Sequence, residues 1–431
     1  MPSQSGKAAD RCLTLPTVVV VWLLVLLLTA CAVGPVSPRT VRIGAVYPLS
    51  GSLAATGADI QRGVELAVEI VNNEYELNLP LARTAGLPGL GDAKLEIVWA
   101  DHGGDEEEGA IQVRRLLQEE GVVALLGAYN GSVTALASQE AEAAEVPFVN
   151  ATSTSPLLTD RGYRWFFRTT ADDTIFVRNF FNFLADVEAR HDITVDSIAV
   201  VYENRLFGTS VAQLETAYAD QAGIPVVANV PYSAQAANVD AEAQKVVASH
   251  ASLVMHSSYT QDAILFMQAY KRMGYRPDAI LAMDAGFISP SFVETLGEDA
   301  NYILSREAWA RDLGEARPLL WQVNGLYRQR YGADMTGNSA RAFTALIVLA
   351  DAINRAGSVE PEAIREALLA TDIPAEQLIM PWAGVRFDPA TGQNTLAQGI
   401  IVQIQEQNYY TVWPWDVASH ELVWPMPEWD Q

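Results

Sequence analysis

From Val41 onward, short apolar runs alternate with amphipathic helical stretches, and this alternation limits the possible folds more than any other feature of the chain. Strand and helix in repeated succession bury a parallel sheet under helices on both faces, which is α/β architecture. Val41–Tyr47 reads as a strand. The helix after it, from about Asp59 to Val71, sets Ile60, Val64, Ala67 and Val71 on one face. Strands at Leu95–Ala100, Val122–Gly127 and Pro147–Asn150 continue the series, with helices beginning near Asp105 and Ser132. Asp105-Glu106-Glu107-Glu108 opens one helix and Arg114-Arg115 lies toward its end, so these charges match the helix dipole and need no binding role.

A second series has the same rhythm. Strands at Ser197–Tyr202, Ile224–Val230, Ser252–His256 and Ala279–Met283 alternate with helices near Gly208–Asp220, Val239–His250 and Thr260–Met273. Two series imply two lobes. The last third supplies helices near Pro318–Tyr331, Ser339–Ala356 and Pro361–Ala370 and a strand at Gly399–Gln405, too little for a third sheet domain. These elements are expected to complete the first two lobes, with about three crossings between them. Doubly wound sheets bind ligands at the carboxyl ends of their strands, and two such ends facing each other make a cleft that closes on a small molecule.

Before the first strand, Lys7 and Arg11 precede an apolar run from Val18 to Leu28 and then Leu28-Thr29-Ala30-Cys31. The run is too short for a permanent membrane span, and no charge follows before Arg39, so residues 1–30 read as a cleaved signal peptide. The four residues ending at Cys31 resemble the bacterial lipobox, which implies lipid on Cys31 and export to the periplasm or cell exterior. Residues 31–40, with two prolines, read as a tether. Cys12 and Cys31 are the only cysteines, so no disulfide framework is available to the mature chain. The formal charge of −24 becomes one unit more negative when Lys7, Arg11 and Asp10 are removed. That acidity argues against nucleic acid as a partner and leaves the acyl chains as the membrane attachment.

Three loops carry the chemistry. Tyr129-Asn130-Gly131-Ser132 precedes a helix, where Ser132 serves as an N-cap and Gly131 admits an anion to backbone N–H groups. Asn150 to Asp160 holds Thr152, Ser153 and Thr154, whose hydroxyls and amides suit a carboxylate. Asp284 follows a strand on the other lobe, with Ser257-Ser258-Tyr259 after the preceding one, so a zwitterion would place its ammonium at Asp284. Plain capping and turn roles explain each segment equally well when it is taken alone.

The segments Ile43–Gly51, Asn150–Asp160, Phe167-Arg168-Thr169, Tyr202–Gly208 and Phe387-Asp388-Pro389-Ala390-Thr391-Gly392, in that order, resemble those of the branched-chain amino-acid-binding family of periplasmic receptors. The resemblance implies a type 1 periplasmic-binding-protein fold: two flavodoxin-like, doubly wound parallel-sheet lobes joined by a three-strand hinge. Residues 41–169 and 310–385 would form lobe 1, residues 170–309 and 386–412 lobe 2, and the Trp/Pro-rich residues 413–431 a strap on one lobe. It implies a monomeric receptor that hands an amino acid, aliphatic or branched-chain, to an ABC permease. The carboxylate would meet Gly131, Ser132 and Thr154, with Thr152 and Ser153 offering backbone groups. Tyr259 would close over the ligand, Asp284 would take the ammonium, and Thr56 and Phe207 would shape the side-chain pocket.

The chain departs from that pattern at Gly131, where Ser is frequent, at Asp284, where Glu is usual, and at Thr56, where an aromatic is usual. Urea, an amide or an aromatic carboxylic acid is therefore an alternative ligand, and signalling an alternative to transport. An enzyme is not expected. The histidines, His102, His191, His250, His256 and His420, are scattered without metal-site spacing, and neither a dinucleotide fingerprint nor a nucleophile elbow occurs, so no cofactor or metal is expected.

Overall fold

The structure, a computed structural model, describes residues 1–2 and 40–429. Arg39–Gln431 forms one compact unit, and the description concerns that unit. Cys31 and the expected signal segment, apart from Met1 and Pro2, lie outside the described residues.

The first sheet is built from β1 (Thr40–Tyr47), β2 (Lys94–Asp101), β3 (Ala124–Gly127), β4 (Phe148–Asn150) and β5 (Phe166–Arg168). Its order is β2-β1-β3-β4-β5 and every pairing is parallel. Between these strands run α1 (Ala54–Asn72), α2 (Glu106–Glu119) and α3 (Gly131–Ala143). β1 is buried continuously from Ile43 to Tyr47, as a strand covered on both faces must be. α1 buries Ile60, Gly63, Val64, Ala67, Ile70 and Val71, a stripe at helical spacing. It begins five residues before the expected Asp59, because its first turn is small and polar and carries no apolar period. The Asp105 side chain caps α2 by accepting from the Glu108 N–H at 2.9 Å.

The second sheet contains β6 (Ile198–Glu203), β7 (Val226–Tyr232), β8 (Leu253–Ser257), β9 (Ala279–Ala282) and β10 (Leu304–Glu307). After a short antiparallel pair, β11 (Ile373–Pro374) with β12 (Gly384–Val385), the chain adds β13 (Ile400–Gln405) and β14 (Asn408–Trp413). The order is β14-β13-β10-β9-β8-β6-β7, parallel except for β13 and β14. Its helices are α4 (Asp173–His191), α5 (Leu206–Ala222), α6 (Asp240–Ser249), α7 (Thr260–Arg272) and α8 (Pro290–Leu296). Then come α9 (Pro318–Tyr331), α10 (Gly337–Ala356) and α11 (Pro361–Leu369).

α10 is buried along almost its whole length and lies against α1, so it belongs to the helical layer of the first sheet. Gly63 permits that approach: a Cβ there would stand 2.3 Å from the Ser339 carbonyl oxygen. The chain thus passes from the first sheet to α4, which packs with α5 and β13, returns to α9–α11 after β10, and leaves again for β13. Two of these passages pair side by side. Arg168 N–H donates to the Gly392 carbonyl at 2.9 Å, Asn394 N–H to the Arg168 carbonyl at 2.9 Å, and Gln393 Nε2 to the Thr170 carbonyl at 2.7 Å.

Several elements differ from the sequence expectation. β5 is three residues long, below what periodicity detects, and α4 follows it where no helix is assigned from sequence. β10 reads Leu-Ser-Arg-Glu, and its buried charges hide a strand. The final strand is one half of a hairpin, since β14 takes in Thr411–Trp413. Beyond it the Trp/Pro-rich segment lies along the second sheet's side. Trp413 Nε1 donates to Asp186 at 2.7 Å, and Trp429 Nε1 to the Tyr275 carbonyl at 2.9 Å. Among the described residues no single helix is long and apolar enough to cross a membrane.

Candidate functional site

The carboxyl ends of both sheets converge on a cavity whose space, open solvent included, is about 330 Å³. One wall comes from the loops after β3 and β4. α3 starts at Gly131 with Asn130 as its N-cap, and the Asn130 side chain makes no capping bond. The first N–H groups of the helix have no helical partners, a setting that favours an anion, and that of Gly131 reaches the Tyr259 hydroxyl.

The loop after β4 is pinned from behind. Asn150 Nδ2 donates to the carbonyls of Gly127 at 2.8 Å and Ala128 at 3.1 Å, and its Oδ1 accepts from Ser153 N–H at 3.1 Å. Thr152 Oγ1 donates to the Ala128 carbonyl at 3.1 Å, while Ser153 Oγ lies 2.6 Å from Thr134 Oγ1 and 3.0 Å from the Tyr129 carbonyl. Sequence reasoning offers both the hydroxyls and the backbone amides of this loop to a carboxylate, with backbone groups from Thr152 and Ser153. The hydroxyls of Thr152 and Ser153 turn inward, because buried carbonyls at the end of β3 need donors, and their role is to hold the loop. Arg168, fully buried, donates from Nη1 to the Ser155 carbonyl at 2.7 Å. Burial brings its pKa down to about 10, against the pull of Asp172.

The opposite wall belongs to the second sheet. Phe207 sits in the first turn of α5 and Tyr259 is the N-cap of α7. Their ring centroids are 5.6 Å apart, and Tyr259 lies 5.7 Å from Tyr129 of the first wall, so three aromatics bridge the two sides. A Cβ on Gly131 would stand 3.5 Å from the Phe207 nitrogen. The two walls are nearly in contact there, and the missing side chain keeps the space open.

Asp284, just past β9, is 2% exposed, and both it and Ala285 hold positive φ, at 51° and 50°. Non-glycine residues rarely adopt this conformation, and such strain persists where surrounding contacts impose it. The contacts are ionic. Asp284 Oδ2 lies 2.5 Å from Arg306 Nη1 of β10 and 2.9 Å from Arg341 Nη2 of α10, and Oδ1 accepts from Ala285 N–H at 2.5 Å. Both arginines line the cavity. Burial works to lower the pKa of each; Asp284 and Glu307 outweigh it at Arg341, which ends above its ordinary value, whereas Arg306 ends below. Glu307 beside them is pushed up to about 7, first by burial and then by Asp284.

Of the residues singled out from sequence, Gly131, Thr152, Ser153, Thr154, Phe207, Tyr259 and Asp284 line this one cavity. Ser132 faces an adjoining space of about 440 Å³ that it shares with Asn130, Glu203 and Tyr259. Thr56, buried in the first turn of α1, lines neither. Asp284 does not present a free carboxylate to an ammonium, since two guanidinium groups already hold it. Arg306 and Arg341 escape sequence reasoning because β10 is not recognisable as a strand and Arg341 is an isolated charge in a helix of apolar residues. Among the described residues no cluster of three or more His, Cys, Asp or Glu is placed to hold a metal ion.

Known proteins resemble this chain over most of its length. The Leu/Ile/Val-binding protein homolog 7 of Brucella suis biovar 1 is 27% identical over 396 residues, covering 89% of this chain and 94% of that protein. Among solved structures, the leucine-binding protein LivK of Thermotoga maritima superposes with a TM-score of 0.73 at 19% identity, covering 86% of this chain and 97% of its own. The branched-chain amino acid transporter substrate-binding protein LivJ of Streptococcus pneumoniae, in complex with isoleucine, gives 0.73 at 20% identity, covering 86% and 99%. The fold is thus the type 1 periplasmic-binding-protein fold of the branched-chain amino acid transporter proteins. The family profile described as Periplasmic binding protein matches residues 40–408, and the chain belongs to that family.

Proposed function

We propose that this chain is an exported solute-binding lipoprotein of an ABC importer, which takes a small amino acid between two lobes and presents it to a membrane permease without altering it chemically. The observation that carries the proposal is the open N-terminus of α3 beside the pinned loop after β4, facing Phe207 and Tyr259 across about 330 Å³. Such an arrangement receives a carboxylate through neutral donors on one side and covers the ligand with aromatic surface from the other.

In this reading the amides of Gly131 and Ser132 and the hydroxyl of Thr154 take the carboxylate, with Thr152 and Ser153 contributing backbone. Phe207 and Tyr259 close over the ligand, Asp284 lies in the cavity wall with its carboxylate held by Arg306 and Arg341, and Thr56 lies off that wall. An aliphatic or branched-chain side chain is favoured by the Leu/Ile/Val-binding name of the Brucella relative and by the isoleucine in the Streptococcus protein. Lobe 1 comprises residues 41–169 and 310–385, lobe 2 comprises residues 170–309 and 386–412, and the paired passages at 168–170 and 392–394 suit a hinge. The protein acts as a monomer. A lipid on Cys31 and the short tether to residue 40 keep the receptor at high effective concentration near its permease.

Thermal-shift screening against amino acids, amides and aromatic carboxylic acids tests the reading. A ligand at about 100 times its Kd stabilises the folded form by about 2.7 kcal/mol, so an amino acid is expected to raise the melting temperature. Silence with every amino acid contradicts the proposal, and a response confined to amides or aromatic acids reassigns the ligand. Cys31→Ser is expected to release a soluble protein or to leave an uncleaved precursor, with ligand binding intact.

A further inference from the structure

Two guanidinium groups in the wall of the same cavity keep N–H donors without aligned acceptors. Arg306 and Arg341 are 2% and 1% exposed, and each guanidinium carries five N–H donors. Arg341 Nε donates to the Gly337 carbonyl at 3.1 Å and Nη2 to Asn338 Oδ1 at 2.7 Å, but Nη1 has no partner. Arg306 Nε is directed at Met283 Sδ at 3.2 Å, and its guanidinium lies 3.8 Å over the Phe176 ring. Arg306 Nη1 is ion-paired with Asp284 at 2.5 Å without an aligned hydrogen bond. Both side chains are therefore fixed in place while part of each fork remains unsatisfied, which is unfavourable in a buried setting unless something fills it.

Asp284, Glu307 and the buried Asp173 all act on these arginines, and none of them gives Arg341 Nη1 an aligned acceptor. Asp284 is one carboxylate shared between two cations, and its free capacity is reduced to one lone-pair direction on Oδ1. Glu307 directs Oε2 to the N–H groups of Ala308 and Trp309, at 2.5 and 3.3 Å. A Cβ on Gly337 would meet both Glu307 oxygens, so that carboxylate is packed against the N-terminus of α10. An ammonium brought to Asp284 would stand beside two guanidinium groups and be repelled by both, whereas a carboxylate would be drawn to the Nη1 atoms that lack aligned acceptors and accept from planar forks built for it.

We infer that the ligand carries two carboxylate groups, one received at the N-terminus of α3 and the other by Arg306 and Arg341 at the opposite end of the cavity. The ligand class is a short dicarboxylic acid, with or without an α-amino group. The inference rests on the proposed capture of a carboxylate at α3 and replaces the aliphatic end of the ligand with an anionic one.

Isothermal titration calorimetry of the full-length chain in detergent with L-glutamate, glutarate, L-glutamine and L-leucine tests it. L-glutamate or glutarate is expected to bind at least tenfold tighter than L-glutamine and L-leucine. The two diacids, compared with each other, report whether the α-amino group contributes. Leucine or glutamine binding as tightly as the diacids, or more tightly, overturns the two-carboxylate inference and leaves amino-acid capture standing; no heat from any of the four removes both. Arg341→Gln is expected to weaken the diacid at least tenfold and to weaken leucine by less than twofold, with Arg341→Lys recovering part of the loss. Equal losses for diacid and leucine in a variant that melts cooperatively also overturn the inference. The wild-type comparison stands by itself if the variant does not fold.

Discussion

The wall that the first sheet contributes and the wall that the second sheet contributes are held by different forces. At the first, Asn150, Thr152 and Ser153 spend their side chains on carbonyls at the end of β3, so the loop is fixed by several neutral hydrogen bonds, each worth about 1 kcal/mol net. At the second, Asp284, Arg306 and Arg341 are desolvated ions from a loop, a strand and a helix far apart in sequence. Neutral bonds lose stability in small steps when one is removed. A buried ionic cluster fails abruptly, because deleting one member leaves its partners charged and uncompensated.

The largest effect is therefore expected from Asp284→Ala, which strands two buried guanidinium groups and should lower unfolding stability by roughly 3–5 kcal/mol in urea titrations. A loss below 1 kcal/mol would mean that solvent reaches the cluster and that the two walls do not differ as described. Ser153→Ala leaves the Thr134 hydroxyl without its 2.6 Å partner and is expected to lower stability by about 1–3 kcal/mol in the same measurement.

Buried charge elsewhere in the helices α4 and α5 extends the comparison to pH. Glu215 on α5 is fully buried with neither carboxylate oxygen partnered, and burial, then Asp173, raises its pKa well above the ordinary carboxyl value. The folded state then holds more protons than the unfolded one as pH rises from about 4.3, the ordinary glutamate value. Stability is fully present below that value and falls toward the folded pKa. Asp173, raised to about 6 by burial, adds a fall of the same sign between about 4 and 6. In thermal melts at pH 4.5 and 8, Glu215→Gln is expected to lose less melting temperature between the two than the wild type; an equal loss would show that Glu215 is ionised in the fold. The smallest effect belongs to Arg42→Ala. Its ion pair with Glu96 is 3.2 Å long but about half exposed on each side, and its removal should change stability by less than about 1 kcal/mol.

These forces also explain what the sequence discloses. β1, β6 and β8 are legible because a strand buried on both faces is continuously apolar, and α9 because Pro318 and Gly332 mark its ends. The first wall is legible for a related reason: its residues are local, lying just past strands that can be found, so Gly131 and Thr152–Thr154 declare themselves by position. The second wall is only half legible. Phe207, Tyr259 and Asp284 follow recognisable strands, but β10 is disguised by Arg306 and Glu307, and nothing in the neighbourhood of Arg341 connects it to Asp284. The inward turn of the Thr152 and Ser153 hydroxyls escapes as well, since it depends on which carbonyls at the end of β3 lack partners, a matter of tertiary geometry.

The central claim is that a ligand occupies the space between Gly131 and the aromatic pair Phe207 and Tyr259. Gly131 lies at negative φ, and its Cβ would meet only ordinary contacts, the nearest at 3.5 Å. Gly131→Leu should therefore extend a side chain between the two walls from an unstrained Cβ, and an unliganded melt close to that of the wild type shows that the variant folds. Thermal-shift titration of wild type and Gly131→Leu, with whichever carboxylate stabilises the wild type, measures the claim directly. A wild-type shift that disappears in the variant, with the unliganded melting temperatures close, is the predicted result. A variant that retains the full ligand-induced shift would contradict the placement of the site.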